Sequence, residues 1–373
     1  MKKKRIIILI AVVAMLLIAL ICMIFIKNKQ INDEDIMRND KIEISNTNDI
    51  NANSSANTVI DNNEIIEQKN EVSNEAKTPV QEYGKLRVEG SKLVAENGDV
   101  VQLRGISTHG IGWFPQYINK EAFKFMKDEW NINLIRLAVY SEGYNESQNQ
   151  IIEDGIDYAT DLGMYVIVDW HILNDNNPNI NKEKAKVFFN YIANKYKNNI
   201  NIIYEICNEP NGDVTWQKDI KPYAEEMINL IHGINEDAVI LCGTPGFCQK
   251  VEQVADSPIT GHKNIMYTLH FYSSTHKQEL RNELSNAIQK GLPIFVSEFG
   301  ISEASGNGNI NIDEANKWID LLNSNNISFV YWNLSNKNES TALLKSSTTK
   351  FNNWNMEEVS DAGKWFINIL KNK

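Results

Sequence analysis

Positive charge is scarce in this chain of 373 residues, in which 37 lysine and arginine residues face 48 aspartate and glutamate residues. The formal net charge is −11. A nucleic-acid partner requires a basic surface that releases counterions from phosphate groups, so this composition argues against such a partner. A neutral partner suits it better. The hydrophobic share of 42% is sufficient for a large packed core.

Cysteine is also rare, with four residues in the chain, and none lies in the CxxC spacing of a zinc site. Cys22 lies in an apolar run, whereas Cys207, Cys242 and Cys248 fall in or beside predicted strands. We expect buried thiols, and a Cys242–Cys248 disulfide is an open alternative in an oxidising compartment. The HExxH motif is missing as well. We therefore expect no metal and no other cofactor.

Aromatic residues, glycine and cysteine are all missing between Asn28 and Glu82, where asparagine and acidic residues dominate. Such a segment cannot bury enough apolar surface to offset the entropy lost on ordering, so residues 28–82 are predicted to be a disordered linker. An apolar run from Ile6 to Ile26 precedes it, after basic residues. The run is long enough to cross a bilayer and lacks a cleavage pattern, so residues 1–27 are predicted to be an uncleaved membrane anchor. A signal segment that is cleaved, which would leave the protein secreted, is the alternative. The basic residues predict that the chain after the run lies outside the cell.

Residues 83–373 are predicted to form the folded domain. A hairpin comes first, formed by Lys85–Val88 and Lys92–Val101 around the Glu96–Asp99 turn. Eight apolar runs come next as predicted strands: Val101–Thr108, Ile132–Tyr140, Tyr165–Ile172, Ile202–Asn208, Val239–Thr244, Ile265–Tyr272, Pro293–Phe299 and Ile327–Leu334.

Helix-like segments alternate with these runs: Lys120–Trp130, Glu153–Leu162, Lys182–Lys197, Trp216–Ile234, Gln249–Ala255, Lys277–Lys290, Asp313–Asn323 and Asp361–Leu370. Continuous apolar strands that alternate with amphipathic helices indicate a parallel sheet buried on both faces. Eight repeats over this length predict an α/β fold of the closed (β/α)8 type, a TIM barrel.

Polar and aromatic side chains stand at the carboxyl ends of the predicted strands. In a (β/α)8 barrel these ends and the loops after them gather on one rim, which carries the reactive groups. We therefore expect one cluster to contain His109, Arg136, Tyr140, His171, Asn208, Glu209, His270, Tyr272, Glu298 and Trp332.

Glu209 and Glu298 occupy equivalent places, because each follows an apolar run at the end of a predicted strand. Taken alone, each glutamate would be interpreted as a solvated charge on the rim. Two carboxyl groups on one rim are more informative, since cleavage of a glycosidic bond uses one protonated and one ionised carboxyl group. The pair therefore indicates a glycosidase.

Five motifs strengthen this interpretation: Asp169-Trp170-His171, Asn208-Glu209-Pro210, Leu269-His270-Phe271-Tyr272, Ser297-Glu298-Phe299-Gly300 and Tyr331-Trp332-Asn333-Leu334-Ser335-Asn336-Lys337. Together they resemble glycoside hydrolase family 5, in its bacterial endoglucanase branch, from about Tyr83 to the C-terminus. The resemblance implies a retaining mechanism in which Glu209 is the acid/base and Glu298 is the nucleophile.

The same resemblance implies roles for the groups around the two glutamates. Arg136 would keep Glu298 ionised, and a structural salt bridge with a core carboxylate is the alternative for Arg136. Tyr272 would position Glu298, and His270 would adjust the protonation of Glu209. The expected substrate-binding residues are these together with Asn208 for the sugar 2-hydroxyl, His109, Tyr140 and His171, Trp113 and Trp332 as stacking platforms, and the pair Lys337 and Glu339.

We expect an endo-acting β-1,4-glucanase that binds a β-glucan chain as a monomer outside the cell. Phe247 stands where this branch usually has a tryptophan, which puts the strength of binding on the leaving-group side in doubt. The same mechanism on mixed-linkage glucan, xyloglucan or β-mannan is an alternative, because related barrels differ mainly in their loops. A surface protein that binds glucan without catalysis is a second alternative, and the presence of both glutamates argues against it.

Overall fold

The computed structural model describes residues 76–371, which are built around a closed barrel of eight parallel strands. The strands succeed one another around the barrel in chain order, and the last pairs with the first. They are β3 (Arg104–Thr108), β4 (Leu134–Tyr140), β5 (Tyr165–His171), β6 (Ile202–Glu205), β7 (Val239–Cys242), β8 (Ile265–Tyr272), β9 (Ile294–Gly300) and β10 (Phe329–Leu334), preceded by β1 (Arg87–Glu89) and β2 (Lys92–Val94). The predicted (β/α)8 fold is confirmed.

Helices connect successive barrel strands, and one further helix precedes the first strand and another follows the last. They are α1 (Pro79–Tyr83), α2 (Lys120–Trp130), α3 (Asn149–Asp161), α4 (Lys182–Lys195), α5 (Lys221–His232), α6 (Pro245–Cys248), α7 (Val251–Ala255), α8 (Gln278–Gln289), α9 (Ile312–Ser324) and α10 (Asp361–Lys371). The predicted helix Trp216–Ile234 is divided, because Trp216–Ile220 forms a π-helical turn before α5. The segment between β7 and β8 forms the short element α6, in which residues 246–248 have positive φ, and the short helix α7.

Helix α2 illustrates how local sequence sets an element. Asn119 caps it by accepting a hydrogen bond from the backbone of Ala122, and Asn131 ends it in the left-handed conformation. Helical spacing places one face of the helix against the barrel, and that face consists of Ala122, Phe123, Met126 and Trp130.

The N-terminal hairpin is present, but its turn was predicted at the wrong place. Strands β1 and β2 meet at a turn that contains Gly90, which has a φ of 58°, and not at Glu96–Asp99. The later turn instead returns the chain so that Val100 bridges to Val94. Glycine tolerates the positive φ that this turn requires.

Helix α1 lies inside the stretch that the sequence assigned to the linker. The backbone of Val80 donates a hydrogen bond of 2.9 Å to the Gly163 carbonyl, and Val80 also packs against buried apolar residues below the barrel. Residues 28–75 of the predicted linker and the predicted anchor Ile6–Ile26 lie outside the described residues. Within residues 76–371, no helix is both long and apolar enough to cross a membrane.

The interior of the barrel changes from apolar to charged along the strands. We call its lower layer the barrel floor, a buried cluster that includes Leu134, Ile167, Ile203, Leu241, Met266, Phe295 and Val330. Side chains on one face of a strand recur every second residue. The next inward positions are therefore those two residues further on, and five of them are polar and fully buried: Arg136, Asp169, Glu205, Thr268 and Ser297.

Candidate active site

An open cleft of about 450 Å³ lies on the rim formed by the carboxyl ends of the strands. Ten of the predicted site residues line it: His109, Trp113, Tyr140, His171, Glu209, Tyr272, Glu298, Trp332, Lys337 and Glu339. The other three predicted residues, Arg136, Asn208 and His270, are buried beside them. The structure thus brings the predicted residues together, while their individual roles stay predictions.

Glu298 is held by two donors at the end of β9. The Tyr272 hydroxyl donates to Glu298 Oε1 over 2.8 Å, and Arg136 Nη1 donates to Oε2 over 3.2 Å. Each carboxylate oxygen therefore has one charged or strongly polar partner, which fixes the side chain in the cleft. Glu298 is only 4% exposed, so these contacts act in a largely water-free environment.

Arg136 is fully buried and serves more than one carboxylate. Its guanidinium donates to Glu205 over 2.7 Å and lies 3.0 Å from Asp169, in addition to its contact with Glu298. Burial alone would lower the pKa of Arg136, but Asp169, Glu205 and Glu298 raise it above its usual value. Arg136 is thus both the cation beside Glu298 and a structural salt-bridge partner of two core carboxylates.

Glu205 and Ser297 belong to the site and were missed from the sequence. Ser297 Oγ donates to Glu205 Oε1 over 2.7 Å, and the Nε2 atom of His270 lies 2.9 Å from Ser297 Oγ. Burial by itself would raise the pKa of Glu205, but Arg136 and His270 lower it to about 2. The missed signal was an acidic residue at the end of the otherwise apolar strand Ile202–Glu205, because a buried charge needs a partner.

Glu209, which lines the cleft, contacts the buried ring of His270. The Nδ1 atom of His270 lies 3.1 Å from Glu209 Oε1. Burial favours a lower pKa for His270, yet the hydrogen-bonded carboxylates of Glu205 and Glu209 raise the pKa well above the usual value. The ring is therefore positively charged beside Glu209.

His171 and Asn208 form a second hydrogen-bonded pair. His171 Nδ1 donates to Asp169 over 2.7 Å, and Asn208 Nδ2 donates to His171 Nε2 over 3.2 Å and to the Ile172 carbonyl over 3.0 Å. Burial, with a smaller effect of Arg136, lowers the pKa of His171 to about 3, so this ring is neutral. The Asn208 amide is fully engaged by the protein, and its contact with a sugar 2-hydroxyl stays a prediction.

Aromatic rings face the cleft from several strands. Trp113 is 61% exposed, and its ring centroid is 4.5 Å from that of Tyr140. Trp332 is 6% exposed and stacks on His171 with a centroid distance of 5.2 Å. Phe247, from the loop after β7, also lines the cleft and is 44% exposed. Flat apolar surfaces of this kind suit the faces of sugar rings.

Lys337 and Glu339 form an ion pair at the edge of the cleft. The distance between Lys337 Nζ and Glu339 Oε2 is 2.7 Å, and Lys337 Nζ also lies 3.3 Å from His109 Nε2. Burial and then the charge of Lys337 lower the pKa of His109 to about 4, which keeps that ring neutral. The charged groups of Lys337 and Glu339 and the neutral ring of His109 thus face a ligand together.

A metal ion fits this site poorly. Among the described residues, one group of three ligand-type side chains, Glu209, His270 and Glu298, has its ligand atoms within 4.8 Å of one another. Glu298, however, already accepts hydrogen bonds from Arg136 and Tyr272. A cation at this position would face the guanidinium charge, so we assign the group no metal.

The cysteines of the described region are free thiols. Cys207, Cys242 and Cys248 are all buried, and none of the three forms a disulfide. The Cys242–Cys248 disulfide that the sequence left open is therefore not formed.

Comparison with known proteins places this site in a family. A family model described as cellulase, glycosyl hydrolase family 5, matches residues 94–338. The chain belongs to glycosyl hydrolase family 5. This family 5 chain is thus a glycoside hydrolase, as the pair of glutamates predicted.

Two curated relatives of this family 5 chain are both 46% identical to it. Endoglucanase A of Butyrivibrio fibrisolvens matches over 299 residues, which are 77% of this chain and 69% of that protein. An endoglucanase of Clostridium saccharobutylicum matches over 285 residues, which are 75% of this chain and 63% of that protein. The chain therefore spans about two thirds of the length of these relatives.

A solved structure from the same family has a similar fold. The catalytic domain of Thermobifida fusca endoglucanase Cel5A, in complex with cellotetraose, is 36% identical and superimposes with a TM-score of 0.75. The match covers 79% of this chain and 100% of that domain. The match therefore covers nearly all of the residues that the structure of this family 5 chain describes.

Proposed function

We propose that the protein is a retaining endo-β-1,4-glucanase that hydrolyses internal bonds of β-glucan chains. The proposal is carried by the separation of the two glutamates, since one carboxylate oxygen of Glu209 and one of Glu298 lie within 4.8 Å of each other in an open cleft. Retaining enzymes place their carboxyl groups about 5 to 5.5 Å apart, and inverting enzymes leave about 6.5 to 9.5 Å for a water molecule. The short separation favours retention.

The contacts of the site suit a double displacement. Glu298 attacks the anomeric carbon while Glu209 donates its proton to the departing glycosidic oxygen, so that a glycosyl ester of Glu298 forms and the leaving chain gains a hydroxyl group. Glu209 then removes a proton from water, which attacks the same carbon and releases Glu298. Arg136 and Tyr272 hold Glu298 for both steps, and His270 stands beside Glu209 to support its change of role.

The proposed substrate rests on the lining of the cleft and on the relatives. Exposed rings of Trp113 and Phe247 provide places for sugar rings beyond the reacting one. The relatives are named endoglucanases, and the Thermobifida fusca domain was solved with cellotetraose. An internal stretch of β-1,4-glucan, bound by a monomer, is the substrate that these features support best.

The test is release of reducing sugar from carboxymethylcellulose, mixed-linkage glucan, xyloglucan and β-mannan, with Glu298→Ala alongside. As a matched control, Glu236→Ala removes an exposed glutamate in the loop between α5 and β7, at the opposite end of the barrel. We expect release from the glucans by the wild type and the control but not by Glu298→Ala. Release from mannan alone would change the substrate, and NMR detection of an inverted product would reject the mechanism.

We also propose that the enzyme works outside the cell and is held at the membrane by the apolar run Ile6–Ile26. The run comes after basic residues, and a charge-rich segment separates it from the folded domain. Protease treatment of intact cells tests this arrangement. We expect the protease to digest the enzyme on intact cells. In untreated cells we expect the enzyme in the membrane fraction. Recovery of a shortened, soluble enzyme from the medium would instead identify the run as a cleaved signal.

A further inference from the structure

A left-handed turn follows β7 and approaches the acid/base glutamate. Gly246, Phe247 and Cys248 have successive φ values of 66°, 59° and 58°. For a residue other than glycine, this conformation costs about 1 to 2 kcal/mol. Phe247 and Cys248 therefore need specific contacts that keep the turn in place.

Those contacts are made to the chain around Glu209. The backbone N–H of Phe247 donates to the Pro210 carbonyl over 3.0 Å, and the Cys248 thiol donates to the Asn208 carbonyl over 2.7 Å. Asn208 and Pro210 are the residues on either side of Glu209. The turn thus holds the backbone of Glu209 from both sides.

The thiol of Cys248 is itself fixed by β8 and by the start of the turn. Thr268 Oγ1 donates to Cys248 Sγ over 3.0 Å, and the backbone N–H of Thr244 approaches the same sulfur at 3.4 Å. Burial raises the pKa of Cys248 to about 11, so the sulfur keeps its proton and remains a donor. Its side chain is fully buried.

We propose that Cys248 is a positioning residue for the acid/base, acting through the Asn208 carbonyl to set where the Glu209 carboxyl group stands. The inference rests on the proposed function of Glu209. Under this inference Cys248 affects proton transfer by Glu209. A buried thiol that only packs in the fold would have no such effect. A small displacement of a reacting group slows the step that uses it, and a shift of about 1 Å costs about 100-fold.

The test compares two substrates that differ in their need for an acid. Cleavage of cellotetraose needs protonation of the leaving oxygen, whereas 2,4-dinitrophenyl β-cellobioside loses a stable anion without it. For Cys248→Ala we expect kcat/KM on cellotetraose to fall about 10-fold to 100-fold while kcat/KM on the dinitrophenyl substrate stays near the wild-type value. Cys248→Ser keeps a donor at this position and is expected to restore most of the loss.

Cys242→Ala is the matched control, because it removes the same thiol from an equally buried cysteine in the apolar core at the end of β7. We expect it to affect both substrates alike. Thr268→Val is a second variant for the case that Cys248→Ala does not fold, since it removes the hydroxyl group that donates to the thiol and keeps the branched shape. It is expected to give the same selective loss at smaller size.

Equal losses on the two substrates, in Cys248→Ala or in Thr268→Val if the former does not fold, would overturn the inference and leave the proposed function standing. The same holds if Cys242→Ala shows the selective loss as well, because the effect would then belong to any buried thiol. A wild-type enzyme that cleaves neither substrate would overturn the proposed function and this inference with it.

Discussion

The Tyr272 hydroxyl group donates a hydrogen bond of 2.8 Å to Glu298 Oε1. A hydrogen bond to a charged group contributes about 1.5 to 3 kcal/mol, so Tyr272→Phe is expected to lower kcat/KM on cellotetraose by about 10-fold to 100-fold. The ring and its packing are kept, and the thermal midpoint should change little. Steady-state kinetics together with a thermal melt check this. Unchanged kinetics would show that Tyr272 does not assist Glu298.

Arg136 is predicted to dominate the stability of the polar layer above the barrel floor. Arg136→Leu leaves Asp169 and Glu205 buried without their cation, and breaking a buried pair in this way costs about 3 to 5 kcal/mol. Lys120→Leu removes an exposed cation that pairs with Asp161 on the surface, which should cost at most about 1 kcal/mol. Urea unfolding of both variants gives the comparison. Similar midpoints for the two would contradict the prediction.

Glu205 is expected to make the fold sensitive to acid. Its pKa is about 2 in the folded protein, compared with about 4.3 in an unfolded chain. A lowered carboxyl pKa contributes stability above the unfolded value, and that contribution is lost as pH falls from about 4.3 through about 2. Over this range the wild type should lose about 2 kcal/mol more than Glu205→Gln. Unfolding free energies measured at both ends of the range decide this, and parallel losses would rule it out.

Phe247 is expected to bind the leaving-group side of the substrate. Phe247→Ala should raise KM for long cello-oligosaccharides about fivefold, which corresponds to about 1 kcal/mol of ring contact, and leave KM for aryl cellobiosides unchanged. Phe351→Ala is the matched control, since Phe351 is 45% exposed and does not line the cleft. An equal rise in KM for both substrates would place Phe247 elsewhere on the sugar chain.

The fold was predictable because apolar runs and helical spacing alternate without interruption along the barrel. Helix Lys120–Trp130 has the predicted bounds, and strand Ile265–Tyr272 does as well. Strand ends were less certain. The first barrel strand was predicted from Val101 but begins at Arg104, because Val101 and Leu103 pack into the barrel floor without joining the ladder. Apolar residues outside a ladder have the same appearance in sequence as those within it.

The residues that line the cleft were predictable because strand ends in a barrel share a rim, as Glu209 and Glu298 do. The partners of Arg136 inside the barrel were not predictable. The carboxylates that contact Arg136 are determined by the register of β4 against β5 and of β5 against β6, which brings Asp169 and Glu205 to the guanidinium group. A single sequence contains the charges but not the distances between them.

The barrel interior is divided into an apolar floor and a polar upper layer. Substitutions that change packing and substitutions that change catalysis therefore fall on different residues. Substitutions among floor residues such as Ile167, Met266 and Val330 change packing without touching the groups that handle protons. The thermal stability of the protein can therefore be improved by substituting side chains that pack better in the barrel floor, without a change to the catalytic groups of the upper layer.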